Sequence, residues 1–408
     1  MLAARFLRTF AQSSIAVFFA IYLDSLGYSL PEIGLLVTAG SVGSTVFAFL
    51  IVFIGESLGR RRLLIGFSLM MGFAGLGFAL TDHYLLLAIV SFFVGSVAVS
   101  GSGPRGPIQP LETASIPDTT SPEHHTDLFA LSGIVERAAR FLGTLAGALP
   151  ALFAVMFDMS ELGGFKIMFV VHTAFMVASA AMYGLLSPVV DRTAGRIRWQ
   201  NPFALPSRRT IFTLAAIFSV DSTATRFVFF SLVALWFKAK FGLDLAEVSY
   251  LLAGSTLMNM MSLWAAARIA KHIGLLNTAV YTHVPAVIFT VAVPFAPSLG
   301  LAVFFWFARA FFSQMDTPPR QAYTMAIVNR EERVAMASIT NVSQAASSAA
   351  TPAISTILWQ SVSASAPFLA AGLLKTVYLI GLYVMFKDVH PPEEEDRMAE
   401  RRRPAESP

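Results

Sequence analysis

The chain has 408 residues, 55% of them hydrophobic and 13% charged, with a net charge of +4 and no cysteine; its mean hydropathy is +0.65. Soluble globules carry about 25% charged residues, so too few polar side chains remain to coat one, and the chain reads as an all-α protein of the lipid bilayer. The missing cysteine removes disulfides, thiolate metal sites and cysteine nucleophiles together, and the positive charge gathers at the ends of apolar segments, where it signals topology and needs no nucleic-acid partner.

A spanning helix needs about 20 mainly apolar residues, because its backbone polar groups must be satisfied within the segment once water is excluded. Twelve segments qualify, near 6–26, 31–54, 63–81, 84–103, 127–157, 165–187, 210–236, 245–268, 273–295, 298–316, 334–358 and 365–386. The first follows Arg5 and Arg8 and runs to Leu26 without a small-residue cleavage site, so no cleavable signal peptide is expected. Alternate loops collect arginine: Arg60 to Arg62, then Arg192 to Arg209, Arg268 with Lys271, Arg330 with Arg333, and Arg401 to Arg403. The opposite loops hold mainly acids, among them Asp24, Glu32, Asp82, Asp158, Asp244 and Glu247. That bias places both termini in the cytoplasm of a multi-pass protein of the cell (inner) membrane.

The sequence also repeats. A shift of 215 residues carries Gly27 onto Gly242, Glu32 onto Glu247, Gly59 onto Gly274 and Pro104-Arg105 onto Pro319-Arg320. Six spans fall in each copy, which gives two pseudo-symmetric six-helix bundles, residues 1–190 and 210–390, joined by a cytoplasmic linker at 191–209. The acidic, proline-closed tail at 391–408 is expected to be disordered. Repeats of this size in a very apolar chain are a known basis of transporters whose substrate site forms between the halves.

Twelve spans in two halves, cytoplasmic termini, a basic central loop and the run Glu56-Ser-Leu-Gly59-Arg60-Arg61 together resemble the major facilitator superfamily. The likeness covers nearly the whole chain. That family's loop motif has the form G-x-x-x-D-x-x-G-R-R; here Glu56 replaces its aspartate and Val52 its first glycine. Glycine at 59 permits a tight turn with positive φ. The resemblance implies that Glu56, Gly59, Arg60 and Arg61 act as a conformational latch; otherwise Glu56 is a loop charge that only sets topology. It implies as well that Arg105, in Gly101-Ser-Gly-Pro-Arg-Gly-Pro107, takes part in proton transfer, against the plainer reading of an arginine at the interface.

Charged groups at membrane depth are costly, so those present usually face a cavity and pair. Glu112 is either the partner of Arg105 or a loop acid. Glu136 and Arg140, four residues apart, share a helical face and can neutralise each other. Gly143-x-x-x-Gly147-x-x-Pro150 resembles a degraded antiporter motif, and also suits plain helix packing. Asp221 lies five residues before Arg226 in the most polar stretch of any span. It is read as a proton-coupling carboxylate, or as a static partner of Arg226 or of an arginine on another helix. Arg309, Asp316 and Arg320 fall at spacings of seven and four and suggest an inner gate. Arg105, Arg140, Arg226, Arg309 and Arg320 outnumber Glu136, Asp221 and Asp316, an excess that an anion could use. The His172–Met176 and Met258 to Met261 groupings are read as packing, with no metal and no cofactor.

No phosphate loop or nucleophile elbow is present, so neither an ATP-driven pump nor an enzyme is expected. The function read from the sequence is alternating-access secondary transport of a small molecule by a monomer, with proton-coupled efflux ahead of proton-coupled uptake of an organic anion. A transporter-like scaffold that moves nothing is the remaining reading.

Overall fold

A computed structural model describes residues 1–94, 108–115, 125–186, 205–273, 275–317, 320, 323–324, 327–328 and 332–387. Arg105, Gly274, nearly all of the linker and the 391–408 tail lie outside the described residues. Within them the secondary structure is helical and contains no strand. In chain order the helices are α1 (Leu2–Ser25), α2 (Leu30–Leu58), α3 (Arg60–Leu80), α4 (Tyr84–Val94), α5 (Ile108–Ser115), α6 (His125–Ala146), α7 (Leu149–Met156) and α8 (Glu161–Gly184). The second repeat holds α9 (Arg208–Phe227), α10 (Phe230–Phe241), α11 (Leu245–Ile273), α12 (Leu275–Tyr281), α13 (His283–Ala292), α14 (Leu299–Ser313), α15 (Arg333–Ser348), α16 (Thr351–Ser361) and α17 (Ala366–Phe386).

Each of the twelve expected spans carries helix. Eight runs among the described residues are long and apolar enough to cross a membrane, and α4 and α14 add shorter apolar helices. Several spans are broken once. Pro150 removes a donor where α6 gives way to α7, and Pro352 does the same where α15 gives way to α16. Between α9 and α10 the backbone turns extended at Phe229, and the hydroxyl of Ser355 donates to the Phe227 carbonyl at 2.6 Å. A carbonyl freed by a break is thus answered from another helix, as the absence of water requires.

The repeat is visible as paired helix starts. Gly27 and Gly242 both take positive φ, at +87° and +68°. Three residues on from a backbone N–H, the carboxylate of Glu32 accepts from Ser29 at 2.8 Å and that of Glu247 accepts from Asp244 at 2.9 Å. Glu32 and Glu247 are therefore N-terminal caps of α2 and α11. Gly59, with φ +80°, makes the sharp join between α2 and α3.

The described chain divides into two compact units that cut across the repeat. The first comprises Met1–Arg198, Thr225–Thr256 and Ala345–Pro367; the second comprises Trp199–Ala224, Leu257–Gln344 and Phe368–Pro408. In the first, α1 is the central post, packed on α6, α8 and α10, while α3 lies along α8. Its core is aromatic: Phe18 stacks on Phe165 at 5.1 Å, Phe78 on Phe169 at 5.2 Å, and the Tyr22 hydroxyl donates to the Phe78 carbonyl at 2.7 Å. The core of the second gathers Ile211, Leu214, Phe218, Tyr323, Met336, Tyr378 and Phe386.

Close backbone approach sets the spacing in the first unit. A Cβ on Gly143 would overlap the Phe10 carbonyl, and one on Gly147 would lie 2.8 Å from Val17, so these two glycines let α6 seat on α1. Gly143→Val is expected to destabilise the protein by about 1–3 kcal/mol through forced displacement of α1, read as a lower melting temperature of the full-length protein in detergent. An unchanged melting temperature would remove this account of the motif.

Candidate functional site

Arg5 and Arg8, on successive turns of α1, point at one acid. Glu112 of α5 is fully buried; it accepts from Arg5 Nε at 2.9 Å and from Arg8 Nη2 at 2.6 Å. The Tyr183 hydroxyl of α8 donates to its other oxygen. Arg8 Nη1 continues to Gln12 at 3.1 Å, Arg5 Nη2 reaches Thr113 at 3.1 Å, and Arg5 Nη1 donates to Ser132 on α6. Glu136 closes the edge, 3.9 Å from Arg5 and 3.1 Å from Arg140. Helices α1, α5, α6 and α8 are thereby joined at one buried carboxylate, whose desolvation is offset by two guanidinium groups and a phenol.

The second unit holds a counterpart with the charges exchanged. Asp221 of α9 is buried; it lies 2.9 Å from Arg320 and is also contacted by Lys375 of α17. Arg320 is shared, since Asp316 lies 3.4 Å from the same nitrogen, and its guanidinium rests on the Phe218 ring at 5.1 Å. Tyr378 of α17 stands 3.5 Å from Arg320. On the far side of Asp316 the Nδ1 of His283, at the start of α13, is 3.7 Å away.

The two clusters use corresponding parts of the repeat. A shift of 215 residues places Arg5 and Arg8 opposite Val220 and Thr223, so Asp221 sits on the matching turn of the first helix. In each repeat an opposite charge comes from the chain just after the fourth span and a tyrosine comes from the sixth, which in the second repeat also supplies Lys375. The first repeat thus has bases on its leading helix around one acid, and the second has an acid on its leading helix between two bases.

The description "Major Facilitator Superfamily" belongs to the family model that matches this chain over residues 1–312 and again over 214–407. The chain belongs to that superfamily. A membrane protein of Saccharomyces cerevisiae, YJR124C, is 21% identical over 83% of each chain. The MFS-type transporter YceJ of Bacillus subtilis is 23% identical over 83% of each chain. Among solved structures, a bacterial homolog of the human lysosomal transporter Spinster, described as inward-facing and unoccupied, superposes with a TM-score of 0.72 at 13% identity, covering 96% of this chain and 97% of that one. The superfamily's transporter fold follows from this, and at such identities the likeness concerns the fold alone.

Of the superfamily loop residues, Gly59 has the positive φ that the motif demands. Arg61 donates to the Gly184 carbonyl at the end of α8, which pins the start of α3 to that helix. Glu56 lies on α2, and its side chain is outside the described residues.

The sequence-derived pairings hold in part. Glu136 and Arg140 do pair along α6. Asp221 takes Arg320 and Lys375 in place of Arg226, because five helical residues turn the two side chains about 140° apart. Asp316 falls in the turn after α14 ends at Ser313, where it meets Arg320 and His283 rather than Arg309. Glu112, read as a partner of Arg105 or a loop acid, is the hub of the first cluster, and Arg105 itself lies outside the described residues. Arg5 and Arg8, read as topology signals alone, are 5% and 1% exposed. Lys375 and His283 went unnoticed, although each is an isolated polar residue inside an apolar run, which is itself the signal for a functional or paired group.

Two arginines stand apart. Arg226, at the end of α9, is half-buried and reaches Ser41 of α2 at 3.4 Å. Arg309 is half-buried on the packed face of α14, over the Trp306 ring at 4.6 Å. Neither forms an ion pair among the described residues.

Within the first unit the two repeats also touch. The backbone N–H of Ala353, left without a helical acceptor at the start of α16, donates to Thr38 Oγ1 of α2 at 3.0 Å. A Cβ on Gly34 would overlap the Thr356 hydroxyl and lie 2.9 Å from the Pro352 carbonyl. These contacts belong to the end of the helices that carries the acidic loops.

Glu112→Ala would leave two buried guanidinium groups without their carboxylate, at an expected cost of about 3–5 kcal/mol. Removing Glu136, which is partly exposed beside Arg140, should cost about 1 kcal/mol or less. Thermal unfolding of the two full-length variants in detergent measures the contrast, and equal losses would contradict the assignment of Glu112 as hub.

Proposed function

We propose that the protein is a secondary active transporter that moves a small organic anion, coupled to protons, by alternating access. The observation that supports the anion is the isolation of Arg226 and Arg309. The intramembrane Arg5, Arg8, Arg140 and Arg320 each have a carboxylate beside them, whereas Arg226 and Arg309 form no ion pair among the described residues, which suits a carboxylate or phosphate ligand. Leaving them so is costly in lipid unless an anion visits.

In the same reading the arginine-rich loops face the cytoplasm of the cell membrane and both termini lie there. The contact of α2 with α16 then seals the outer side. The Glu112 and Asp221 clusters each hold the cytoplasmic ends of their leading and sixth helices to the chain that follows the fourth span, and Glu56, Gly59, Arg60 and Arg61 would latch the α2–α3 loop. Efflux of amphipathic compounds is the second reading, favoured by 36 phenylalanines. The glycines of the partial antiporter motif lend it no weight, since packing on α1 accounts for them.

Purified full-length protein challenged with carboxylates, organic phosphates and lipophilic cations should be stabilised against heat by a subset of the anions. Arg226→Ala or Arg309→Ala should weaken that binding at least tenfold while the protein stays folded, and unchanged binding in both variants would end the assignment. Stabilisation by cations alone would favour efflux of amphipathic compounds and end the anion reading. Proteoliposomes that exchange none of the stabilising anions would leave the scaffold reading.

The outer seal makes a separate prediction. Gly34→Val should wedge α2 from α16, at a cost of about 1–3 kcal/mol to the closed arrangement. Distances between spin labels on the loops at 26–29 and 362–365 should lengthen, and an unchanged distribution would count against closure there.

A further inference from the structure

Asp221 was the carboxylate that the sequence put forward for proton coupling, yet it sits between Arg320 and Lys375. Accepting a proton there means parting from two cations. The neighbouring His283 is placed differently. It is 2% exposed, and its Nδ1 has no hydrogen-bond partner among the described residues although it faces the Asp316 carboxylate at 3.7 Å. Native proteins rarely leave a buried ring nitrogen unanswered, so this one asks for an explanation. Its other neighbour is the Tyr378 ring, met edge-on at 6.3 Å.

We infer that His283 is the proton-binding group of the transport cycle and that Asp316 is the carboxylate that receives the resulting imidazolium. The inference rests on the proton-coupled reading above, and deepens it. The groups facing His283 come from every neighbouring element of the cluster: Asp316 and Arg320 from the chain after α14, Asp221 from α9, and Lys375 with the Tyr378 hydroxyl from α17. Two acids and two bases balance while the imidazole is neutral. Uptake of one proton from solution at the ring, with no other bond made or broken, adds a single positive charge beside Asp316.

That charge has a defined mechanical consequence, because Arg320 is divided between Asp316 at 3.4 Å and Asp221 at 2.9 Å. An imidazolium that draws in Asp316 releases Arg320 to Asp221 alone. The tie between the chain after α14 and the start of α13 strengthens, and the one between Asp316 and Arg320 loosens. A bound proton therefore biases which arrangement of α9, α13 and α17 is preferred, as coupling demands of a ligand that distinguishes two states. In this cycle an unanswered Nδ1 belongs to the form without the proton.

The test uses full-length protein in proteoliposomes and the radiolabelled anion that stabilises it best. Wild type should both exchange this anion across the membrane without a pH gradient and accumulate it with one. His283→Gln should keep exchange within twofold and lose gradient-driven accumulation at least tenfold. Should that variant fail to fold, His283→Asn, whose amide stands near the Nδ1 position, is read in the same way. Undiminished accumulation overturns the inference, and so does equal loss of exchange and accumulation, which would place His283 in the binding site. If wild type exchanges no anion, the anion reading fails by itself, and the proton is then followed directly. Acidifying detergent-solubilised protein with an indicator dye should bind more protons in wild type than in His283→Gln, the difference approaching one per chain. No difference overturns the assignment.

Discussion

A charge inside a lipid-embedded bundle has no water to turn to, so it must be met by a side chain from another helix, and that requirement ties distant segments together. Among the described residues Glu112 and Asp221 are two points where this happens. Each is buried, each receives two cations from elsewhere in the chain, and each has a tyrosine nearby. Removing one partner exposes the others to the full cost of desolvation, which gives such hubs more leverage than their number of bonds suggests. Because one hub serves three or four helices, it couples their positions as the nonspecific packing of phenylalanine and leucine cannot.

The exchange of charge between the hubs is what duplication followed by divergence would leave behind. The architecture of leading helix, post-fourth-span chain and sixth helix is kept, while the leading helix carries bases in the first repeat and an acid in the second. The constraint acts on neutrality, and neutrality is indifferent to which helix bears the acid. The repeats differ in one further respect: the second cluster contains a histidine, His283, beside the Asp316 carboxylate.

Against this background of satisfied charge, Arg226 and Arg309 acquire meaning. An arginine beside a carboxylate is a fastening; among the described residues Arg226 borders a serine hydroxyl and Arg309 an indole ring, and the proposed anion rests on that difference. The superfamily fold itself is silent on the cargo, because its members place different side chains in the same helices. The proposed assignment of an anion thus depends on which arginines are left over once the structural pairs have been counted.

The membrane class, the helical spans, the repeat and the loop glycines were all legible in the sequence, because each rests on local information: hydropathy over one helix length, a fixed shift of 215 residues, and the positive φ that Gly27, Gly59 and Gly242 supply. Glu136 with Arg140 was legible for the same reason, being one helical turn apart. The partners of Asp221, the burial of Arg5 and Arg8, and the isolation of Arg226 and Arg309 were decided only by the tertiary structure. Arg5 and Glu112 are 107 residues apart and Asp221 and Lys375 are 154 apart, and spacing along a chain carries no information about which helices will lie side by side. A charge at a helix end looks the same in sequence whether it faces solvent or a carboxylate brought in from another span, and packing alone distinguishes the two.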